Sequence, residues 1–172
     1  MSNVYIISKM DKLGVLRTVK QGDNIYFYHI HTIKAYDQKK WSVGETYDTQ
    51  DFFRQPSYNF QKKIREKAFE EVRRINFSHL PTRTKCLFAS TSLVTANVWH
   101  NILGGEKQIL KIRPISGKYA FLDEEIYELE DFSDDAMDKD AHMYWKGCIL
   151  LDGIKISALF EGVFRIEEEI YI

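Results

Sequence analysis

Phe88-Ala89-Ser90-Thr91-Ser92, with Ala96 and Trp99 downstream, decides the fold. The apolar run Cys86-Leu87-Phe88-Ala89 ends abruptly in three small hydroxyl residues. A helical pattern from Leu93 to Leu103 follows and is stopped by Gly104-Gly105. That order describes a strand delivering hydroxyls to a strand–helix junction, where a ligand meets the exposed N–H groups of the first helical turn. Thr91 or Ser92 is the expected N-cap, which accounts for one hydroxyl but not for three. Upstream, Tyr26-Phe27-Tyr28-His29-Ile30-His31 reads as a second strand carrying two histidines. Its alternation places Ile25, Phe27, His29 and His31 on one face and Tyr26, Tyr28, Ile30 and Thr32 on the other.

Outward from these segments, Val15 to Val19 reads as a strand joined to Asn24–Thr32 through the turn Gln21-Gly22-Asp23-Asn24. Lys34 to Ser57 is polar, aromatic and irregular, with Trp41-Ser42-Val43-Gly44-Glu45 as an ordered loop. From Asn59 to Asn76 the period becomes helical, with Phe60, Ile64, Ala68, Val72 and Ile75 as the expected apolar face. The lysines and arginines between them are diluted by Glu66, Glu70 and Glu71, so they read as a solvated face. Gln108–Ile112 and Tyr119–Leu122 are expected as two strands separated by Pro114 and Gly117. Asp123 to Asp140 is an acidic surface stretch with a short helix, and Ala141–Trp145 ends a helix closed by Gly147. Ile154 to Ile166 supplies one or two final strands. Strands mixed with two or three helices, with no linker or repeat, define a single α+β domain over residues 1–172.

Composition narrows the function classes. With 24 basic and 25 acidic residues the net charge is −1, so no global field attracts nucleic acid. The two cysteines, Cys86 and Cys148, lie in apolar runs and lack zinc-site spacing, so both read as buried thiols and no metal site is expected. Met1 to Lys9 lacks the apolar core of a signal peptide, and no apolar stretch approaches the roughly 20 residues that cross a bilayer. The expectation is a cytoplasmic protein without a membrane partner. The chain has no GxSxG elbow, HExxH helix or GxxxxGK[ST] loop, and the acidic run Asp131–Asp135 lacks the glycine and closing glutamate of a calcium loop.

What is left is a strand histidine, a hydroxyl cluster at a strand end, and late acidic residues. Here the chain resembles the ADP-ribosyltransferase-like superfamily. Tyr28-His29-Ile30-His31-Thr32 resembles the first motif of its histidine-bearing branch, and Leu87-Phe88-Ala89-Ser90-Thr91-Ser92 with Ala96 and Trp99 resembles the second motif of its arginine-specific toxin branch. The toxin branch carries arginine in its first motif, so the chain mixes features of two branches. Leu80 to Trp99, together with Ala141-His142-Met143-Tyr144-Trp145-Lys146-Gly147, is also similar to a small bacterial family within that superfamily.

The resemblance implies a split β-sandwich of two packed sheets with flanking helices and a cleft that takes NAD as substrate. It implies a mono-ADP-ribosyltransferase acting on a macromolecular acceptor (protein, RNA or DNA). It further implies a toxin role in a toxin–antitoxin or phage-defence system, with an antitoxin protein as partner. On that match Tyr28 and His29 bind the nucleotide, with His29 orienting a ribose, and Ser90, Thr91 and Ser92 brace the site. A late carboxylate stabilises the oxocarbenium-like transition state. Glu161 is the first candidate, with Glu167, Glu168 and Glu169 as alternatives. His29→Ala is expected to abolish turnover and leave melting nearly unchanged. If no carboxylate reaches the ribose, the same fold is a non-catalytic nucleotide-binding or interaction module. A third reading, an RNA-end-processing transferase, needs a strongly basic cleft, and the near-neutral charge argues against it.

Overall fold

A computed structural model describes residues 13–33, 39–52 and 59–171. The reading of Met1–Lys9 and parts of the Lys34–Ser57 loop lie outside the described residues. The strands are β1 (Arg17–Thr18), β2 (Phe27–Thr32), β3 (Thr46–Asp48), β4 (Leu87–Ala89), β5 (Lys107–Asp123) and β6 (Ile156–Ile170). The helices are α1 (Phe60–Asn76), α2 (Leu93–Ile102), α3 (Glu124–Tyr127) and α4 (Asp134–Lys146).

All six strands belong to one antiparallel sheet built on the long β5–β6 pair. β2 runs along the first half of β5, with Phe27 opposite Ile112 and Thr32 opposite Lys107, and β1 joins the second half at Tyr119 and Lys118. On the far side, β3 pairs with β6 around Arg165 and β4 around Leu159. The sheet then curls until β4 meets β2 at the bridge Tyr28↔Ser90. Two backbone hydrogen bonds close it there, Tyr28 N–H to Ser90 O at 2.8 Å and Ser90 N–H to Tyr28 O at 2.7 Å. The protein is thus a mixed α/β domain, a curled antiparallel sheet with flanking helices. In place of the two packed sheets expected, the described strands form a single sheet, because β5 and β6 pair along their length and carry the others on their outer sides.

The split expected at Pro114 and Gly117 does not occur. The β5–β6 register shifts between Pro114, opposite Phe164, and Ser116, so the proline sits beside an irregularity that the strand runs through, and Gly117 faces Gly162 across the pair. The tail is likewise one strand of 15 residues.

Helix α1 is capped by Asn59, whose side chain accepts from Lys62 N–H. Its buried face is Arg65, Phe69 and Val72 and not the expected stripe, since Phe60 is 73% and Ile75 62% exposed. The rotation follows from Arg65, a polar residue in the sequence pattern. Its guanidinium donates to Ile126 O at 2.7 Å and pairs with Asp140 at 3.0 Å. Buried donors so satisfied pull the whole face round. The Arg74–Glu71 pair decorates the solvated side, as expected, whereas Arg73–Glu70 is half-buried, with Arg73 also donating to Leu80 O at 3.0 Å. Helix α4 starts at Ser133 and ends at Gly147, whose φ of 83° is the left-handed conformation glycine tolerates. Within the acidic stretch, Asp123, Glu124 and Asp140 are buried and not on the surface.

The core lies on both sides of the sheet. Inside the curl, Phe27, Trp41, Leu110, Phe121, Phe160 and Phe164 pack together. Outside, Phe69, Leu80, Leu122, Leu159, Tyr144 and Trp145 join the sheet to α1 and α4. Cys86 is buried, Cys148 is half-buried, and both are free thiols. His31 is fully buried in the inner aromatic stack, 3.9 Å from Trp41 between ring centroids, and its Nε2–H donates to Lys39 O at 2.7 Å.

Burial holds the His31 pKa below its ordinary 6.5, against the pull of the Lys39 carbonyl. The unfolded chain therefore takes up the proton first as pH falls through 6.5, and stability is lost below that value until the folded-state pKa is passed. Urea midpoints at about pH 7.5 and about pH 5.5 are expected to show the drop, and His31→Gln to shrink it.

Candidate functional site

The bridge between β2 and β4 forms one wall of a groove of about 1240 Å³. Tyr28, His29 and Ile30 come from β2, and Phe88, Ala89 and Ser90 from β4 and its end. Helix α2 adds Trp99, α1 adds Glu66, and α3 with its flank adds Glu124 and Tyr127.

Of the residues singled out in the sequence, the structure brings Tyr28, His29 and Ser90 together at this wall. His29 is 3% exposed; its Nδ1–H donates to Phe88 O at 2.7 Å and its ring stacks on Trp41 at 5.4 Å. Such a side chain supports the fold as well as any ligand, so His29→Ala costs stability and the expected near-neutral melting does not fit this environment.

Ser92 is not part of the groove wall. It is the N-cap of α2, its Oγ accepting from Thr95 N–H at 3.2 Å. Ser92→Ala is expected to lower stability by about 1 kcal/mol in thermal or chemical unfolding, with nucleotide affinity unchanged. Thr91 also lies outside the groove lining; its Oγ1 is buried without a hydrogen-bond partner among the described residues.

Glu161 is likewise not brought to the groove. It accepts from Thr82 N–H and lies 3.7 Å from Lys118. Glu167, Glu168 and Glu169 lie along the end of β6, with Glu168 opposite Lys111 and Glu169 opposite Leu110.

Of the glutamates that line the groove, the buried one is Glu124, at the β5–α3 junction and 4% exposed. Arg83 Nη1 donates to both of its oxygens, at 2.9 and 2.8 Å, and Tyr144 OH donates at 2.6 Å. Arg83 is no surface arginine. It is 3% exposed, pairs with Glu66 through Nε at 2.9 Å, and lies 3.6 Å over the Tyr127 ring. Burial works against its charge, but Glu124 and Glu66 hold its pKa well above the ordinary value. Burial lifts the Glu124 carboxyl above its usual range, opposed by Arg83 and by the Tyr144 hydroxyl. Tyr144 is pushed well above its ordinary value by burial, so it stays a donor. Tyr144 and Trp145 form a core pair; both are fully buried, and Trp145 Nε1–H donates to Phe69 O at 2.8 Å.

Nothing local in Leu122-Asp123-Glu124-Glu125-Ile126 separates Glu124 from its acidic neighbours. Only the antiparallel return of β6, with Asp123 opposite Ile156, carries it to the groove.

Among the described residues no helix is long and apolar enough to cross a membrane. No curated protein matches the chain. Residues 53–171 match a family model described as a protein of unknown function, DUF2441. That match runs from just before α1 to the end of β6 and covers Arg83, Ser90, Glu124 and Glu161, while His29 precedes it. Because the match takes in well over half of the chain, the protein belongs to the DUF2441 family.

Proposed function

We propose that this protein is an NAD-dependent mono-ADP-ribosyltransferase with an ADP-ribosyltransferase-like fold. The observation that carries the reading is the Tyr28↔Ser90 bridge. It docks the histidine strand against the hydroxyl-bearing strand end at the wall of a groove large enough for a dinucleotide, with a buried carboxylate in the same groove.

In the reaction the C–N bond between ribose and nicotinamide breaks, and nicotinamide leaves as a neutral molecule with the bonding pair. An acceptor nucleophile attacks the anomeric carbon and loses its proton. Positive charge develops on the ribose, so a preorganised carboxylate lowers the barrier. Glu124 takes that role in place of Glu161, and Arg83 and Tyr144 position it. His29 orients a ribose and Ser90 holds a polar group of the dinucleotide. The acceptor is a macromolecule, and the resemblance to small toxins of this superfamily extends the reading to a toxin restrained by an antitoxin protein, working in the cytoplasm.

Nicotinamide release from NAD by the purified protein tests the reading. His29→Asn, which retains a donor toward Phe88 O, is expected to abolish release in a protein that still melts cooperatively. Equal release by the folded variant contradicts the assignment.

A second reading, a non-catalytic nucleotide-binding module, has one specific observation in its favour. Both carboxylates considered for catalysis are already engaged, Glu124 by Arg83 and Tyr144, Glu161 by Thr82 and Lys118. NAD binding without nicotinamide release selects it.

A further inference from the structure

Two buried hydroxyls in the groove have no structural duty. Ser90 is 2% and Ser157 3% exposed, and both line the groove. Ser157 carries no motif in the sequence; it is the second residue of β6. Neither Oγ makes a hydrogen bond to another described residue. Neither hydroxyl is among the fully buried unpartnered polar atoms of the described residues, so each keeps an open side in the groove where a ligand can meet it.

Their placement is regular. β4 and β6 pair through Leu87↔Phe160, Phe88↔Leu159 and Ala89↔Ala158, so one step further puts Ser90 beside Ser157. Tyr28 stands across from Ser90 on the other side. Leu87 and Ala89 point into the inner core, so Phe88 and Ser90 face the opposite way, toward the groove. Tyr28, Ser90 and Ser157 therefore form a row across three strands. Trp99, which packs against the same apolar cluster as Tyr28 and lines the same groove, has a buried Nε1 without a hydrogen-bond partner among the described residues.

The row is electrically neutral, and the charges nearby are compensated: Arg83 pairs with Glu124, and Lys155, 5.8 Å from the Trp99 ring centroid, pairs with Glu125 and Glu128. Hydroxyls both donate and accept, an indole N–H donates, and the rings of Tyr28, Phe88 and Trp99 offer flat apolar walls. A phosphate would call for cations at this place. A ligand part that is planar and uncharged, with donors and acceptors on its edge, satisfies the row.

We propose that Ser157, with Ser90 and Trp99, forms a nucleobase subsite in which the base lies between aromatic walls and its polar edge meets the two serine hydroxyls. The subsite rests on the reading of the groove as a nucleotide site, and it assigns Ser157 a specificity role.

The test is titration calorimetry with adenosine, guanosine, cytidine and uridine, with ribose 5-phosphate as the probe that lacks a base. At least one nucleoside is expected to bind. Ser157→Ala should weaken it about tenfold and leave ribose 5-phosphate unchanged. The melting temperature of Ser157→Ala should stay close to that of wild type, because the hydroxyl makes no hydrogen bond to another described residue. Ser157→Val, which keeps bulk without a hydroxyl, should bind no better than the alanine form. The subsite is overturned if no nucleoside binds the folded wild type, if the nucleoside binds Ser157→Ala equally well, or if Ser157→Ala melts clearly lower. Nicotinamide release separates this from the transferase reading. Release by wild type with Ser157-independent binding removes the subsite alone. Ser157-dependent nucleoside binding without release removes the transferase alone.

Discussion

Arg83→Met is expected to destabilise the protein by about 3–5 kcal/mol, seen as a lower urea midpoint and melting temperature. Methionine keeps much of the volume but leaves the Glu124 carboxylate buried without its cation. Glu124 is 4% exposed, so water cannot replace the two hydrogen bonds it receives from Arg83 Nη1. The guanidinium also binds Glu66 and covers the Tyr127 ring at 3.6 Å, and both contacts go with it. The cause is identified by a cycle. Glu124→Gln in the Arg83→Met background should cost far less than Glu124→Gln alone, with a coupling of about 1–3 kcal/mol. An Arg83→Met protein as stable as wild type would mean that the cluster is solvated and that Glu124 is not held as described.

Gly162→Ala is expected to be at least as damaging, by about 3 kcal/mol or more, because two costs fall on one position. Its φ is 146°, which side-chain-bearing residues avoid. A Cβ there would stand 2.0 Å from Ser116 O, and that oxygen belongs to the backbone of the neighbouring strand. β5 and β6 approach so closely here because Gly117 and Gly162 face each other just beyond the register shift after Pro114. Relief of the clash requires the central strand pair to part, and the curl that brings β4 to β2 depends on that pair. Loss of cooperative melting or of folded protein on expression is the expected outcome. A Gly162→Ala variant of wild-type stability would show that the two strands are not bent and packed in this way.

The parts of the structure legible in the sequence are those fixed by neighbours along the chain. Alternation in Phe27–Thr32 puts His29 and His31 on one face with Phe27, and in the fold that shared face is the inner one, beside Trp41. The strand-to-helix switch at Ser90–Leu93 is local, and Ser92 caps α2 as its type and position require. Gly147 closes α4 for the same kind of reason.

What escaped depends on partners distant in sequence. Pro114 and Gly117 read as breaks, yet β6 absorbs them in a shifted register. Arg65 reads as part of a solvated face and Arg83 carries no signal in the sequence, yet each meets carboxylates or carbonyls more than fifteen residues away and is buried with them. The acid of the groove was sought late in the chain, at Glu161, because the resemblance places one there. In the fold Glu161 anchors the Thr82 amide, and Glu124 reaches the groove from the neighbouring strand. Ser157 had no signature at all, since its significance comes only from standing beside Ser90.

The most direct test of ADP-ribosyl transfer in this groove uses NAD labelled in its adenylate half, incubated with the purified protein and a cell lysate. Parallel samples are treated with protease, ribonuclease or deoxyribonuclease before separation. Label should appear on macromolecules, vanish with one of the three treatments, and be absent with the folded His29→Asn protein. Unlabelled macromolecules and no nicotinamide release from a protein shown to be folded would contradict the transferase.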